Sequence, residues 1–529
     1  MIVAFAGLLT SLTIAFPRIG VLEWLSLVPA ALVLYYYANQ ERVNYFDVFL
    51  SGAAFFLPFY LVITSGFLYM YPLDFINGMT EKTALMIVLL AWLVISVFHA
   101  ALGGVFFIIA AFLFRSAPVR RLPLLRPFAA ASLWVIYEWI QTFDWWGMPN
   151  CRLALGQTRL EIGIQSASLF GSYLVSFIIV AVNFFFAYAV SAMQNKETEG
   201  KGRAIKLSAL LATALLVFNY GAGSILWFTN SPDSKNESIK VVAVQANIPM
   251  TDLHGREVRE IYRKYTLEAA GKGADVVVWA ETALPNDIEA VEGFISEVAA
   301  EANVTVVTGV FTSGENGEQY NSVVCFTSDG ELCADVYEKR HLVPFGEFIP
   351  LKSFINKFFP YLADLATLGS DLSVGEGSTV IVTDNGRFGA GVCYDVAYED
   401  ITLDGARGGA QYFCVSSNAA WFDDSIFLAL YNAQSKLRSV ECGRYSVYAA
   451  NTGISSVINH RGEILEELEP LVGGTVSGDV ELRNNRTLYS YVGNLLVYIC
   501  LAAVILLCVF QTVYAIVEKV KANNNLKKS

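Results

Sequence analysis

Long apolar runs occupy both ends of the chain and leave a more polar stretch between them. Residues 1–227 are largely apolar, residues 228–488 alternate as a soluble domain does, and residues 490–516 are apolar again. A helix needs about 20 apolar residues to cross the hydrocarbon core of a bilayer. The pattern predicts a transmembrane bundle over 1–227, a folded domain over 228–488, and a C-terminal membrane helix with a basic tail over 489–529.

The apolar runs predict eight membrane-spanning helices, seven of them before the folded domain. We place them near 2–16, 20–37, 47–72, 84–114, 124–142, 163–193, 205–227 and 490–516. Pro17 separates the first two runs. The first run also resembles a signal peptide, but no cleavage site of the A-x-A type follows it. The runs at 84–114 and 163–193 are long enough to be tilted helices or to include interfacial pieces.

Basic residues outside the apolar runs predict the orientation in the membrane. They form three clusters, which lie after the fourth, sixth and eighth spans: Arg115, Arg120, Arg121 and Arg126; Lys196, Lys201, Arg203 and Lys206; Lys519, Lys521, Lys527 and Lys528. With eight spans, all three clusters fall on one side of the membrane, and the positive-inside rule identifies that side as the cytoplasm. We therefore expect the folded domain to be extracytoplasmic.

Within the folded domain, short β-branched runs alternate with helical stretches. Runs typical of buried strands lie at 239–248, 274–281, 303–311, 387–395 and 410–418, and helices are predicted at about 255–270 and 287–302. The runs YSVYAANTG and SSVINHRGEIL, at 445–453 and 455–465, close the domain. Asp329-Gly330 separates two further strand-like runs and is a hairpin signal. The alternation predicts an α/β layered domain with mixed sheets.

Composition and charge exclude several classes of protein. The 529 residues are 55% hydrophobic and 16% charged, whereas about a quarter of the residues in a soluble protein are charged. The net charge of -12 argues against a nucleic-acid partner, which requires a basic face. The eight Cys include no CxxC pair and the chain has four His, so the sequence indicates neither a disulfide framework nor a metal site. We also expect no cofactor.

Three polar residues are candidates for chemistry. Glu281 ends the run DVVVWAE, Lys339 lies in YEKRHLVPFGEFIP, and Cys393 lies in GAGVCYD. Taken singly, each favours an ordinary interpretation as a capping Glu, a surface Lys or a small buried Cys. Together they supply a nucleophile, a base that takes its proton, and a cation that lowers its pKa or holds an oxyanion. Active sites of α/β sheets form at strand ends, where such residues converge.

These motifs resemble the Glu, Lys and Cys motifs of the nitrilase superfamily, and KRHLVPFGE with the apolar spans resembles its membrane branch. The resemblance implies a nitrilase-like α-β-β-α sandwich beside a multi-pass helical bundle. It implies that Glu281 is the general base, Cys393 the nucleophile and Lys339 the electrostatic partner of the tetrahedral intermediate. Glu347 matches a second carboxylate of the family. An equally weighted alternative is that Glu347 is only a charged residue at a helix N-terminus.

The same resemblance implies residues close to the substrate. Tyr394 follows the nucleophile as in the family, and Asp395 stands where the family usually has Glu. In the segment SNAAWFDDS, Asn418 and Trp421 match the family pattern. At four positions where substrate contacts are expected, the chain departs from the family pattern: Ala419, Asp423, Tyr431 and His254.

The implied activity is ping-pong acyl transfer in a bacterial inner membrane. A phospholipid would donate an acyl chain to Cys393 as a thioester, and the N-terminal amine of a diacylglyceryl apolipoprotein would accept it. A monomer is expected. Two alternatives stay open: a membrane-tethered amidohydrolase acting on a small amide or nitrile, and a non-catalytic binding or transport protein, which would not require Glu, Lys and Cys together.

The segment 354–368 is apolar for a loop and is interrupted by Pro360. Its pattern predicts either a helix of the domain core or an arm that enters the bilayer surface. As an arm, it would help a phospholipid chain to reach Cys393.

Overall fold

The computed structural model describes residues 1–526 with several gaps. The gaps are 75–77, 144, 195–200, 233–235, 250–251, 253–255 and 359–370. His254 and most of the apolar segment 354–368 therefore lie outside the described residues. The start of that segment belongs to a short helix, Lys352–Phe358.

Fourteen of the α-helices in the described part of the chain carry most of the architecture. They are α1 Ile2–Ala15, α2 Val28–Asn39, α3 Tyr45–Ile63, α4 Glu81–Phe114, α5 Arg126–Ile140, α6 Ser172–Gln194, α7 Lys201–Thr229, α8 Arg256–Gly271, α9 Ile288–Ala302, α10 Lys352–Phe358, α11 Glu399–Gly408, α12 Ile426–Cys442, α13 Leu488–Val492 and α14 Leu495–Leu526. Six helical segments of the described chain are long and apolar enough to cross a membrane: Pro17–Asn39, α3, α4, α6, α7 and Leu495–Val520. The predicted multi-pass bundle is confirmed.

Helices α1 and α5, the other two predicted spans, have 14 and 15 residues. At 1.5 Å per residue they extend only about 21–23 Å. Most of α5 is buried by its neighbours, so it meets little lipid and needs less apolar surface than an outer helix. If α5 did not cross, the basic clusters before α5 and before α7 would fall on opposite sides of the membrane. The eight-span topology stays a prediction.

Two mixed sheets form the folded domain, each with six strands among the described residues. The strands are β1 Ser238–Gln245, β2 Val276–Val278, β3 Thr305–Ser313, β4 Gln319–Phe326, β5 Tyr337–Glu338, β6 Val380–Thr383, β7 Gly386–Val392, β8 Tyr412–Ser417, β9 Tyr445–Ala450, β10 Ser456–Ile458, β11 Ile464–Glu467 and β12 Gly474–Glu481. The sheet orders are β12-β1-β2-β3-β4-β5 and β11-β10-β9-β8-β7-β6. Strands β1 to β3 are parallel, as are β7 to β9, and the outer strands are antiparallel.

The two sheets pack face to face between two layers of helices. Apolar side chains from both sheets, such as Val276 and Val392, share one core. Helices α8 and α9 cover the outer face of the first sheet through residues such as Tyr262 and Ile295. Helices α11 and α12 cover the second sheet. The predicted α-β-β-α sandwich is therefore confirmed.

A buried ionic network connects the sandwich to the bundle. Arg152, in the segment before α6, lies 2.9 Å from Glu399 at the start of α11, and both side chains are at most 5% exposed. The Tyr173 hydroxyl of α6 donates to Glu399 at 2.6 Å. On α12, Glu441 accepts the first backbone N–H of α6 at 2.7 Å. Because α11 follows the segment that carries Cys393, the network fixes this segment relative to the membrane helices.

Candidate active site

Strand ends from both sheets meet at one edge of the sandwich. Glu281 follows β2 by three residues, whereas Cys393 and Asn418 directly follow β7 and β8. Two hydrogen bonds join these ends across the sheets: the Ser416 hydroxyl donates to the Trp279 carbonyl at 2.9 Å, and the Glu281 N–H approaches the carbonyl of the last β8 residue at 3.4 Å. The arrangement brings the end of β2 in one sheet next to the end of β8 in the other.

Close packing fixes the backbone at Glu281. A Cβ atom on Gly309 of β3 would lie 2.6 Å from the Glu281 Cα, so only glycine fits opposite it. The Gly309 N–H donates to the Ala280 carbonyl at 3.2 Å. The next residue, Thr282, has φ +43°. The chain therefore turns sharply just after the carboxylate and leaves it facing the gap between the strand ends.

Lys339 lies between two carboxylates. Its Nζ is 3.2 Å from Glu281 Oε1 and 2.9 Å from Glu347 Oε1, and its side chain is 1% exposed. Burial lowers the pKa of Lys339, but the charges of Glu281 and Glu347 raise it more, so the pKa lies well above its ordinary value. Lys339 is therefore a permanent cation at the centre of the cluster.

Glu347 lies in a tight turn rather than at a helix end. Its Oε2 accepts the Val343 N–H at 2.8 Å, and its own N–H donates to the Val343 carbonyl at 2.9 Å. The interpretation of Glu347 as a helix N-terminal charge is therefore wrong. Its second oxygen, Oε1, faces Lys339 and joins the buried cluster.

Asn321, which the sequence analysis missed, bridges the two carboxylates. Its Nδ2 donates to Glu281 Oε1 and to Glu347 Oε1, both at 2.8 Å. Asn321 lies near the start of β4, and its carbonyl accepts the Lys339 N–H at 2.8 Å. A polar residue at the head of the run NSVVCF is its only sequence signal. Among the described residues, no group of three or more His, Cys, Asp and Glu could hold a metal ion.

Cys393 stands on a strained turn between β7 and a short 3-10 helix. Its φ of +48° lies in the left-handed region, which costs a non-glycine residue about 1–3 kcal/mol and is typical of functional sites. Asp395 stabilises this turn, because its Oδ2 accepts the Val392 N–H at 3.0 Å and the Tyr337 hydroxyl at 2.7 Å. Its Oδ1 accepts the His341 N–H at 2.9 Å. Asp395 therefore joins the turn to the strand and loop that carry Lys339.

The electrostatic surroundings of Cys393 keep its thiol protonated at rest. Burial raises the pKa of the thiol to about 12; Glu281 adds to the rise, while Lys339 and hydrogen bonds with Ser417 and Asn418 oppose it. Burial also raises the pKa of Glu281, against the lowering effect of Lys339. The site therefore holds a neutral thiol beside a fixed cation, and a base must take the thiol proton during the reaction.

Asn418 contacts Glu281 through its backbone. The Asn418 N–H donates to Glu281 Oε2 at 2.8 Å. Its side-chain oxygen accepts the Ala420 N–H at 3.2 Å. Trp421 lies in the 3-10 turn that follows, and the adjacent Phe422 ring packs against the bundle. Two residues of this segment depart from the family pattern. Ala419 is buried and Asp423 is exposed.

Aromatic residues line the side of Cys393 that faces the membrane helices. The Tyr394 and Tyr398 rings meet edge to face with centroids 5.2 Å apart, and Tyr394 packs against the core that the bundle shares with α12. Tyr431 of α12 is buried in that core, and burial raises its pKa, with a smaller contribution from Cys393. Because α12 contacts the short helix Cys393–Ala397, the departure at Tyr431 lies on an element that borders the candidate nucleophile.

Family models match both parts of the chain. Residues 240–488 match the model described as carbon-nitrogen hydrolase, and residues 6–185 match the apolipoprotein N-acyltransferase N-terminal domain. The apolipoprotein N-acyltransferase of Gloeobacter violaceus is 28% identical over 508 residues, which cover 93% of this chain and 90% of that protein. The enzyme of the same name from Haemophilus ducreyi is 25% identical over 401 residues, covering 72% and 76%.

Two solved structures are also similar to part of this chain. Saccharomyces cerevisiae Nit3, of branch 10 of the superfamily, is 20% identical and covers 50% of this chain and 96% of its own, with a TM-score of 0.38. The C. elegans NitFhit protein is 20% identical and covers 47% of this chain and 61% of its own, with a TM-score of 0.39. The family matches confirm the resemblance inferred from the Glu, Lys and Cys motifs.

Proposed function

Because this chain belongs to the apolipoprotein N-acyltransferase family, we propose that it transfers an acyl chain from a membrane phospholipid to an apolipoprotein. The acceptor is the N-terminal amine of the diacylglyceryl-modified cysteine. The observation that carries the proposal is the buried Glu281–Lys339 ion pair with Cys393 beside it, on the side of the sandwich that packs on the membrane helices. Such a site combines acid–base chemistry with access from the bilayer.

The first half-reaction forms a thioester on Cys393. Glu281 takes the thiol proton as the sulfur attacks the ester carbonyl of the phospholipid. The ammonium of Lys339 stabilises the negative oxygen of the tetrahedral intermediate. When the intermediate collapses, the ester C–O bond breaks, and Glu281 gives its proton to the departing lysophospholipid oxygen. Hydrogen bonds from Asn321 and to Glu347 hold the Lys339 ammonium and the Glu281 carboxylate in position during the reaction.

The second half-reaction releases the acyl chain as an amide. The neutral amine of the apolipoprotein attacks the thioester carbonyl, and Lys339 again stabilises the oxyanion. Glu281 accepts the proton that the amine loses, and the C–S bond breaks. That proton then returns to the sulfur of Cys393. The cycle closes with the same neutral thiol from which it began.

The two alternative functions receive less support. A small-molecule amidohydrolase or a binding protein has no need of the N-terminal region, yet residues 6–185 match the model of the N-acyltransferase N-terminal domain. The polar site also lies against Tyr394 and Tyr431, whose rings continue into the core of the bundle. An acyl chain that leaves the bilayer would meet these rings first.

The decisive test of this function is transfer by the purified protein in detergent. With a phospholipid and a synthetic diacylglyceryl peptide, we expect N-acylated peptide and lysophospholipid to appear in equal amounts by mass spectrometry. Cys393→Ala is the matched inactive control. Release of free fatty acid without acylated peptide would instead identify a hydrolase, and no consumption of phospholipid would overturn the proposal.

The multiple apolar helices and the family place the protein in a bacterial membrane. We further propose the inner membrane, with units 1–227, 228–488 and 489–529, and with the middle unit outside the cytoplasm. The three basic clusters support this orientation, because they fall together on the other side.

A topology reporter tests the orientation. Alkaline phosphatase, active only outside the cytoplasm, inserted after Asn316 in the exposed turn between β3 and β4 should be active. The same reporter at the C-terminus, beyond the last basic cluster, should be inactive. The reverse result would overturn both the span count and the orientation.

A further inference from the structure

A β-hairpin far from the strand ends of the active site brings two cysteines together. Cys325 is the last but one residue of β4, and the chain turns at Asp329-Gly330 and returns past Cys333. Phe326 and Leu332 form an antiparallel bridge, so Cys325 and Cys333, one step further out, are directly opposite. The Cys333 N–H donates to the Cys325 carbonyl at 2.8 Å.

This pairing satisfies the geometry that a disulfide requires. Opposed residues of antiparallel strands have Cα atoms about 4.5–5.5 Å apart, and disulfides join Cα atoms about 4.4–6.8 Å apart. Side chains of opposed residues lie on the same face of the ladder. In agreement, the two thiols interact, since each is a main cause of the shift in the other's pKa. Since the pair is joined by a backbone hydrogen bond, its Cβ atoms lie near the upper end of the range of about 4.5–5.5 Å for opposed residues. They must approach to about 3.5–4.5 Å for the bond to form, so the hairpin adjusts by about 1 Å.

We propose that Cys325 and Cys333 form an oxidisable pair that a disulfide-bearing oxidant outside the cytoplasm converts to a cross-strand disulfide. Secreted and surface-exposed domains retain disulfides, whereas the cytosol keeps thiols reduced. The cellular part of this proposal rests on the extracytoplasmic orientation proposed above. The chemistry of the pair does not, and it can be tested on the purified protein.

The exchange takes place in two steps and needs no other reagent. The Cys333 thiolate attacks one sulfur of the oxidant's disulfide, and the other sulfur leaves as a thiolate. The Cys325 thiol then loses its proton to water, attacks the mixed disulfide at Cys333, and releases the second oxidant thiolate. The two cysteines are oxidised by two electrons, the oxidant disulfide is reduced by two, and two protons are released.

Exposure and acidity assign the order of attack. Cys333 is partly exposed, whereas Cys325 is buried. The interaction between the two thiols lowers the pKa of Cys333 and raises the pKa of Cys325. Since the thiolate is the attacking species, Cys333 reacts first. Cys414 of β8 lies in the same core between the sheets as Cys325, but it is fully buried and burial raises its pKa.

The disulfide would close the hairpin that leads from one active-site residue to another. Asn321 and Cys325 lie on the same face of β4, at opposite ends of it, because side chains alternate along a strand. Lys339 follows Cys333 by six residues. A disulfide across the hairpin lowers the conformational entropy of the unfolded chain and therefore stabilises this part of the first sheet. The disulfide itself does not contact the reacting groups.

The test is controlled oxidation of the purified full-length protein in detergent. After treatment with oxidised glutathione, free thiols are blocked with a maleimide and the peptides are mapped by mass spectrometry. We expect one peptide pair joined through Cys325 and Cys333, with the loss of two hydrogen atoms, and a higher thermal midpoint than the reduced protein. A protein whose Cys333 stays free, or whose Cys325 links to Cys414, would overturn the proposal.

Single variants separate the two steps. Cys325→Ala should stop at the mixed disulfide, so that glutathione stays attached to Cys333. Cys333→Ala should react with no glutathione in this hairpin and should show no rise in thermal midpoint on oxidation. Cys414→Ala is the matched control and should form the disulfide as the wild type does. Since all readouts are masses and melting temperatures, they are independent of whether the protein transfers acyl chains.

Discussion

Incubation with phospholipid alone is expected to load one acyl chain onto Cys393. The strained turn presents the thiol beside Glu281 and Lys339, and no water is needed to complete this half-reaction. The product should be a thioester, which neutral hydroxylamine cleaves. It should persist until an amine acceptor arrives, because the buried site limits hydrolysis. Intact-protein mass and the Cys393 peptide decide the result.

Variants at this position define the nucleophile. Cys393→Ala should carry no acyl chain. Cys393→Ser keeps the shape but replaces the thiol with a far less acidic hydroxyl, so it should lose most turnover, since Glu281 generates a thiolate more easily than an alkoxide. Cys414→Ala, a buried cysteine on the next strand, should acylate as the wild type does. Acyl transfer by a protein whose Cys393 is never modified would exclude the covalent mechanism.

Local patterns were sufficient to predict most of the fold. The apolar runs and the β-branched strands predicted the bundle and both sheets, because burial on both faces leaves a continuous apolar run. The helix layer of α11 and α12 was expected only from the family resemblance. Strands β6 and β12 were missed. Strand β6 has four residues, and β12 starts with Gly474 and contains Gly478, which is unfavourable in a strand. Strand β12 is held by its pairing with β1, more than 200 residues away in the chain, and no local signal contains that pairing.

The residues of the candidate site that lie in contiguous sequence motifs were predictable. Contacts between residues that are far apart in the sequence were not. Glu281, Lys339 and Cys393 each stand at the end of a recognisable run. The contacts of Asn321 with both carboxylates and of Asp395 with Tyr337 come from the folding of separate strands onto one another. Asp395 stabilises the turn at the candidate nucleophile, and its position near the substrate stays a prediction.

Removing the base or the cation should abolish most activity without unfolding the protein. Glu281→Gln keeps the size but cannot accept the thiol proton, and a positioned base contributes roughly 10²–10⁴-fold. Lys339→Met keeps the stem but removes the oxyanion partner, which contributes roughly 10²–10³-fold. Both should insert and melt as single transitions, with acylation of Cys393 slowed by at least about two orders of magnitude.

The pH dependence of acylation then distinguishes a base from a merely structural carboxylate. In the wild type, burial raises the pKa of Glu281 and Lys339 lowers it. Acylation should therefore fall, as the pH falls, through a pKa above that of an ordinary Glu, because the protonated carboxyl cannot accept the thiol proton. In Lys339→Met this acidic limb should move to higher pH, since the opposing charge is gone, and in Glu281→Gln it should be absent.

Lys352→Met, which removes an exposed ion pair with Asp371, should leave the limb and the rate unchanged. An acidic limb that survives in Glu281→Gln would assign the base to another group and remove Glu281 from the mechanism.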